Sequence, residues 1–380
     1  MTATTSGAAS DYVQRVSSTP IRVGVPELQQ YPRASGVGRV LWSLADHWGA
    51  SVELLEEHFI RSSLPLLRTI PRGITRAHQP DVILLPQLTR AEALRSVQGC
   101  AGVVIVHDAG IVDFPDDLIA LDVFTRWRIR QSFRGLVHAT RVISVSNFTA
   151  GRLLEHLPEI EDRLITIPNG VGAELLSYDE TVPEAEHALR EQFSCSIGRP
   201  LLLAVGSEHP RKNFSALIEA FRRIRDVHPQ AHLLKVGAPG NPDWRERTEQ
   251  HAAMHGLTTG HDITFLDQVD DMTLARCYRA SDLYVSASLY EGFGLPLLEA
   301  MATGTPFVVS NRGALPEVAG NLGEVVLPDP SSLASGLLAA IERGCPDEYR
   351  TELRRRASMF SWARSAERYL DVMHEVVGQK

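Results

Sequence analysis

The feature that most constrains the fold is an alternation of short apolar, β-branched runs with longer amphipathic stretches, which occurs twice along the chain. The first set of predicted strands is Ile21–Val25, Asp81–Leu85, Gly102–Val106, Arg141–Val145 and Leu164–Ile167. The second set is Leu201–Val205, Ala231–Val236, Ile263–Leu266, Leu283–Val285 and Phe307–Val309. Strands that alternate with helices form parallel, doubly wound sheets. The sequence therefore predicts an α/β protein with two Rossmann-like domains that face each other across a cleft.

A polar, Glu-rich segment at residues 173–198 separates the two sets of strands. We expect a disordered tail at 1–19, an N-terminal domain at 20–190 and a C-terminal domain at 198–360. A last helix is expected at 361–380. In open α/β sheets, ligands bind beyond the carboxyl ends of the strands, so the residues that follow each strand are the candidate site.

Charge and hydropathy exclude several classes of protein. The chain has 38 basic and 46 acidic residues and a net charge of −8, which argues against a nucleic-acid binder that relies on overall positive potential. No apolar run approaches the roughly 18 residues needed to cross a bilayer, and the tail lacks the hydrophobic region of a secretory signal. These observations predict a cytoplasmic protein, with a peripheral contact at the inner membrane face left open.

The segment SLYEGFGLPLLEAMATGTPFVVS, residues 288–310, contains the strongest motif. Gly292 and Gly294 allow the backbone to approach a ligand closely, and Pro296 favours the first turn of a helix. The amides and the dipole at the start of that helix favour a phosphate group. Glu291 and Glu299 are placed to accept hydrogen bonds from hydroxyls at two different distances from that phosphate. Such acidic pairs also arise by chance in an acid-rich chain.

Two cations follow the first strand of the second set, in the segment VGSEHPRKNF. Arg211 and Lys212 stand just before an amphipathic helix, where they suit a diphosphate. The alternative is a solvated basic pair that caps the helix.

Two N-terminal motifs are weaker by themselves. Gly36 and Gly38 open a helix, but a dinucleotide-binding fingerprint would need a third glycine where Leu41 stands, which argues against a nicotinamide site. His107 and Asp108 follow an apolar strand directly. They are interpreted either as a cleft-facing polar pair or, for His107, as a satisfied core histidine.

With these motifs the chain resembles the retaining nucleotide-sugar glycosyltransferases of family 4, which have the GT-B fold. The resemblance covers nearly all of the chain after residue 20 and is densest from 200 to 320. It implies that Glu291 contacts the transferred sugar and that Glu299 holds the ribose hydroxyls. It also implies that the donor diphosphate is held by the loop amides of Gly292, Phe293, Gly294 and Leu295.

The same resemblance assigns the remaining candidate residues. Gly36 and Gly38 would face the donor phosphate, and His107 would lie near the transferred sugar. Arg211 and Lys212 match a Pro-Arg-Lys-Asn element of the family, whereas Ser207 and Gly172 replace a usual Arg and a usual Asp. The helix at Phe360–Val377 would pack back across both domains.

The sequence thus predicts a retaining glycosyltransferase that moves a hexose-type sugar from a UDP or GDP donor to a hydroxyl of a glycan, lipid-linked or small-molecule acceptor. Glu291, His107, Lys212 and Arg211 are its predicted catalytic residues. No Asp-x-Asp motif or His/Cys cluster is evident, so no cofactor and no metal are expected. The alternatives are a nucleotide-sugar epimerase, a phosphorylase or a non-catalytic sugar-nucleotide-binding subunit.

A basic and apolar segment at residues 59–76 has two interpretations. Such a mixture suits an anionic membrane surface or a charged acceptor, and it equally suits a surface helix with a solvated face. A second cluster, at Arg126, Arg128, Arg130 and Arg134, has the same ambiguity. The sequence leaves the acceptor and the oligomeric state open.

Overall fold

The structure is a computed structural model that describes residues 19–33, 35–61, 71–114, 122–172, 175, 189–191 and 199–378. The predicted tail, apart from Thr19, and most of the segment at 173–198 lie outside the described residues. The described parts include one parallel sheet before that segment and another after it.

The N-terminal sheet has the strand order β2-β1-β5-β6-β7-β8, and every neighbouring pair in it is parallel. Its strands are β1 (Ile21–Pro26), β2 (Val52–Glu57), β5 (Val82–Leu85), β6 (Ala101–Val106), β7 (Arg141–Ser144) and β8 (Leu164–Thr166). Strands β5 and β6 are buried along their whole length, because helices cover both faces of a parallel sheet.

The C-terminal sheet has the order β11-β10-β9-β12-β13-β14, which is the 3-2-1-4-5-6 order of a Rossmann fold. Its strands are β9 (Leu201–Val205), β10 (His232–Val236), β11 (Ile263–Leu266), β12 (Leu283–Ser286), β13 (Phe307–Ser310) and β14 (Glu324–Val326). The two parallel sheets confirm the predicted α/β, GT-B-like architecture.

Helices connect the strands of both sheets and flank them. In the N-terminal part they are α1 (Gly36–Trp48), α2 (Gly110–Asp113), α3 (Val123–Arg134) and α4 (Asn147–His156). In the C-terminal part they are α5 (Phe214–Val227), α6 (Pro242–Met254), α7 (Asp271–Ala280), α8 (Leu295–Thr303), α9 (Leu315–Ala319), α10 (Pro330–Arg343), α11 (Asp347–Ala357) and α12 (Trp362–Gly378). None of the helices in the described part of the chain is long and apolar enough to cross a bilayer.

The helical interpretation of residues 59–76 is wrong at both ends of that segment. β3 (Phe59–Arg61) and β4 (Pro71–Ile74) pair antiparallel, and the side chains of Phe59 and Ile74 are buried. Proline restricts helix formation, and the β-branched and aromatic residues here pack against the core instead. Residues 62–70 lie outside the described residues, so a membrane contact through this segment stays a prediction.

The last helix crosses back to the N-terminal domain, as predicted. The indole Nε1 of Trp48 donates to the carbonyl of Ala366 at 3.0 Å, and the rings of Trp48 and Tyr369 are 6.3 Å apart. Ser365 Oγ donates to the carbonyl of Pro168 at 2.6 Å. One hydrophobic cluster therefore runs through both domains, with α12 joining them.

Tyr369 provides a test of this packing. Its hydroxyl is buried and has no hydrogen-bond partner among the described residues, so its desolvation is uncompensated. Tyr369→Phe should raise the free energy of unfolding by about 1–2 kcal/mol, measured by urea denaturation. Tyr278→Phe is the matched control, because that hydroxyl donates to Glu299 at 2.9 Å and its removal should lower stability. A loss of stability in Tyr369→Phe would contradict the packing described here.

Candidate active site

The loop between β12 and α8 lies where the two domains meet. Gly294, the residue that precedes α8, has φ of 99°, a left-handed conformation that favours glycine. Gly292 lies against the N-terminal domain, since a Cβ added there would stand 1.7 Å from the carbonyl oxygen of His107. The carbonyl of Gly292 accepts hydrogen bonds from Ser146 Oγ at 2.6 Å and Thr149 Oγ1 at 3.1 Å. The domains are therefore closed on this loop.

Glu291 and Lys212 form an ion pair at the centre of the interface. Lys212 Nζ is 2.5 Å from Glu291 Oε1, which also accepts from Ser288 Oγ at 2.8 Å. Burial opposes ionisation of this carboxyl, but Lys212 and Arg211 outweigh it, so the pKa of Glu291 lies below its ordinary value. Glu291 is an ionised carboxylate at neutral pH.

The local fold places Lys212 at this point. The turn Pro210–Lys212 is followed by Asn213, which has φ of 54° and directly precedes α5. The Nδ2 of Asn213 donates to the carbonyls of Ala287 at 3.2 Å and Pro328 at 2.8 Å, which ties the turn to the start of the loop after β12 and to the segment after β14. The Leu289 amide donates to the carbonyl of Arg211 at 2.7 Å and completes the connection.

Arg211 joins the two domains beside this pair. Its Nη1 is 3.0 Å from Asp108 Oδ2 in the N-terminal domain. Burial would lower the pKa of the guanidinium, but Asp108 and Glu291 outweigh it and the pKa is raised. The Nε of Arg211 is buried and has no hydrogen-bond partner among the described residues. A donor in this position can accommodate one additional acceptor atom.

Glu299 is the second carboxylate of the predicted site, and it is also buried. Its Oε1 accepts from Arg39 Nη1 at 2.8 Å, and its Oε2 accepts from the hydroxyl of Tyr278 at 2.9 Å. Burial raises the pKa of Glu299, and Arg39 and Tyr278 only partly offset it. Each oxygen retains capacity for a second hydrogen bond.

Arg39 connects Glu299 to the N-terminal domain. It is in the first turn of α1, and its Nη2 also lies 2.6 Å from Asp271 Oδ1. A cavity of about 270 Å³ between the domains is lined by Arg39, Asp271 and Glu299 and by the apolar side chains of Leu274 and Leu295. The arrangement offers both polar and apolar contacts to a ligand.

His107 is held at the end of β6. Its Nε2 lies 2.8 Å from the carbonyl of Pro86, which only accepts, so Nε2 carries the proton. Burial lowers the pKa of His107, and the ring is neutral at pH 7. The side chain is thus fixed to its own domain, while its backbone carbonyl meets Gly292.

The remaining predicted residues have different environments. No heavy atom lies within 4 Å of where a Cβ on Gly36 would stand, so this glycine faces open space. The amide of Gly38 instead donates to Ser35 Oγ, the N-cap of α1, at 3.0 Å. The Phe293 side chain is buried, with its ring 5.8 Å from that of Phe360, which leaves only its backbone to meet a ligand.

Asp113, in the N-terminal domain, supports the loop between β12 and α8, and the sequence analysis did not identify it. The hydroxyl of Tyr290 donates to Asp113 Oδ2 at 2.7 Å. Asp113 also pairs with Arg152 at 2.6 Å and His156 at 2.7 Å. Burial opposes ionisation of Asp113, but these partners outweigh it and its pKa is lowered.

The sequence analysis also missed two partners of Glu299, which are Arg39 across the domain interface and Tyr278 within the C-terminal domain. Arg39 directly follows Gly38, and its position next to the glycine motif was the available signal. Tyr278 had no such signal, because it lies 21 residues from Glu299 on another helix.

Two Rossmann-like sheets, closed on a loop with buried carboxylates and cations at the strand ends, have the architecture of the GT-B fold. Residues 44–175 match the model of glycosyltransferase family 4, and residues 187–359 match that of glycosyl transferases group 1. Glycosyltransferase models thus match successive parts of the chain, which confirms the predicted resemblance and identifies the chain as a glycosyltransferase.

Known proteins support the same assignment. The serotype-specific mannosyltransferase WbdA of Escherichia coli is 30% identical over 60% of this chain, which spans 28% of that protein. The O-antigen chain mannosyltransferase B of Escherichia coli is 28% identical over 75% of this chain and 70% of its own length. The structure of sucrose-phosphate synthase from Thermosynechococcus elongatus has a TM-score of 0.74 at 22% identity, over 94% of this chain and 100% of that one.

Gly292→Ala tests the closed arrangement. The added Cβ would overlap the carbonyl of His107, so the variant should fold but hold the two domains apart. We expect a larger radius of gyration by small-angle X-ray scattering and at least a tenfold loss of transfer activity. Gly151→Ala is the control, since no atom lies within 4 Å of its added Cβ. A Gly292→Ala variant with the scattering and activity of the parent would disprove the contact.

Proposed function

We propose that the protein transfers a mannosyl group, with retention of anomeric configuration, from a nucleoside diphosphate donor to a hydroxyl of an anionic acceptor. No metal ion is required in this proposal. The observation that carries this proposal is the buried Nε of Arg211, which has no hydrogen-bond partner among the described residues. Arg211 lies next to the Lys212–Glu291 pair. A phosphate oxygen would supply the missing acceptor.

The diphosphate would bind between Lys212, Arg211 and the amides at the start of α8. The ammonium of Lys212 has three N–H donors, and one of them serves Glu291, which leaves two for phosphate oxygens. The helix dipole of α8 adds positive potential at the same point. Fixed cations and amides would then neutralise the leaving group, which is the task that a divalent cation performs in other phosphate sites.

The sugar and the ribose would take the two carboxylates. Glu291, ionised and oriented by Lys212 and Ser288, would accept from a sugar hydroxyl. Glu299 has acceptor capacity on both oxygens, which suits the two adjacent ribose hydroxyls, and the cavity beside it would hold part of the nucleoside. The mannosyl assignment rests on the names of the curated relatives.

The reaction would proceed on one face of the sugar. The bond from the anomeric carbon to the diphosphate oxygen breaks, and a bond to the acceptor oxygen forms on the same face. The acceptor proton passes to the departing phosphate, and the products are the glycoside and the nucleoside diphosphate. Catalysis then comes from positioning and from cations that stabilise the charge developing on the phosphate.

The acceptor is proposed to enter from the N-terminal domain. A cavity of about 620 Å³ is lined by Arg126, Arg130 and Arg134 of α3, with the apolar side chains of Ile129 and Phe133 between them. His156 in its wall is hydrogen-bonded to Asp113, which binds Tyr290 next to Glu291. Arginines spaced by one helical turn favour an anionic acceptor, such as a phosphorylated sugar.

Lys212→Ala should reduce kcat by about 10²–10³, comparable to the loss of one oxyanion donor, with a smaller effect on donor affinity. The reason is that the cation stabilises charge that develops as the glycosidic bond breaks. Steady-state kinetics with GDP-mannose and UDP-glucose, together with calorimetric donor binding, measure both effects. Arg222→Ala, on the surface of α5, is the control. Turnover within a factor of two of the parent in folded Lys212→Ala and Arg211→Ala would disprove the phosphate assignment.

Arg130→Ala and Arg134→Ala should each raise the KM of a phosphorylated acceptor at least about tenfold and leave the KM of its dephosphorylated counterpart unchanged, since a charge-assisted contact contributes about 1.5–3 kcal/mol. The Kd of the donor should not change. Arg128→Ala is the matched control, because Arg128 is on the same helix but does not line the cavity. Equal effects on both acceptors would exclude an anion contact.

Chelation tests the proposed metal independence. After dialysis against EDTA, kcat should stay within a factor of two of its initial value, because the cleft supplies its own cations for the diphosphate. Loss of activity that magnesium or manganese restores would contradict this. The same assay, run with water, phosphate or no acceptor, distinguishes transfer from epimerisation, phosphorolysis and donor binding without turnover.

A further inference from the structure

Three metal-ligating side chains meet on the outer helices of the C-terminal domain, apart from the residues assigned to the cleft. Glu219 is on α5, His251 is in the last turn of α6, and His255 directly follows the last residue of α6. One donor atom from each lies within 4.8 Å of the other two. Positions four residues apart on a helix share a face, which is why both imidazoles meet the same carboxylate.

The polar atoms of this cluster are incompletely satisfied. Nε2 of His251 is 3.4 Å from Glu219 Oε1, a distance compatible with an ion pair, and within the described part of the chain it makes no hydrogen bond. Water reaches that nitrogen poorly, since it is buried. The ring centroids of His251 and His255 are 4.7 Å apart. Two imidazoles so close would repel each other if both were protonated, whereas neutral imidazoles can share a cation.

We propose that Glu219, His251 and His255 bind a divalent transition-metal ion, with Zn²⁺ as the ion that fits best. Two histidines and one glutamate are a known zinc ligand set, and imidazole favours Zn²⁺, Ni²⁺ and Cu²⁺ over Mg²⁺ and Ca²⁺. Ligand atoms around tetrahedral zinc lie about 3.3 Å apart, so the His251–Glu219 distance already fits. Rotation of the exposed parts of the side chains would bring His255 into place, and water would complete the coordination.

Such an ion would link two helices that also shape the donor loop. α5 begins directly after Lys212 and Asn213. The first turns of α6 carry Trp244, whose ring is 4.8 Å from that of His209, and Arg245, which binds the buried carboxylate of Glu208 at 2.9 Å. The ion would stabilise the C-terminal domain without contacting the reacting groups. The proposal is independent of the proposed reaction and compatible with an EDTA-resistant kcat.

Titration of the EDTA-treated, dialysed full chain with ZnCl₂ at pH 7.5, by calorimetry and thermal unfolding, tests the proposal. We expect one site whose occupation raises the Tm. His251→Ala and His255→Ala should abolish that site, and Glu219→Gln should weaken it at least tenfold. His374→Ala, which removes an exposed histidine of α12, should leave it intact. Circular dichroism without metal checks that each variant is folded.

Zinc binding that survives in both histidine variants would overturn the proposal. Absence of binding to the parent at 100-fold molar excess of ZnCl₂ over about 1 μM protein would overturn it equally.

Discussion

The close approach of Gly292 to the carbonyl of His107 is the contact on which the site depends. It brings the loop after β12 against the end of β6 and thereby places groups from both domains in one centre. Asp108 then reaches Arg211, Tyr290 reaches Asp113, and Arg39 reaches Glu299. Separation of the domains would break these pairs and return their charges to water, whereas removal of one partner in the closed state would leave the other charge uncompensated. Closure and charge pairing therefore support each other.

The two buried glutamates show how environment distinguishes residues of one type. Glu291 faces two cations and a hydroxyl, and its pKa is lowered in spite of burial. Glu299 faces one arginine and one phenol, and burial dominates, so its pKa is raised. Glu291 is thus a firmly ionised group, whereas Glu299 is a less acidic carboxyl with acceptor capacity for neutral hydroxyls. This difference in electrostatics agrees with a sugar contact and a ribose contact in the proposed function.

The fold could be predicted from sequence because its strands are short apolar runs that end at polar residues. The β1, β6 and β12 predictions fall within one residue of the observed bounds, and α8 begins at Leu295, beside Pro296. Strand β2 was missed because VELLEE is an edge strand whose acidic residues hide the apolar pattern. Strand β14 was missed because it has only 3 residues. In the segment at 59–76, long-range pairing of Phe59 with Ile74 overrode a local pattern that also suited a helix. The candidate residues could be named, but their partners could not, because Lys212 and Glu291 are 79 residues apart and Arg39 and Glu299 are 260 apart.

The central claim is that this closed interface binds a nucleotide sugar between Lys212, Glu291 and Glu299. A crystal structure with a non-transferable GDP-mannose analogue measures it most directly. The account predicts the diphosphate within hydrogen-bond distance of Lys212 Nζ and Arg211 Nε, the sugar on Glu291 and the ribose hydroxyls on Glu299. A nucleotide bound elsewhere, with the Lys212–Glu291 and Arg39–Glu299 pairs remote from any of its atoms, would contradict the account.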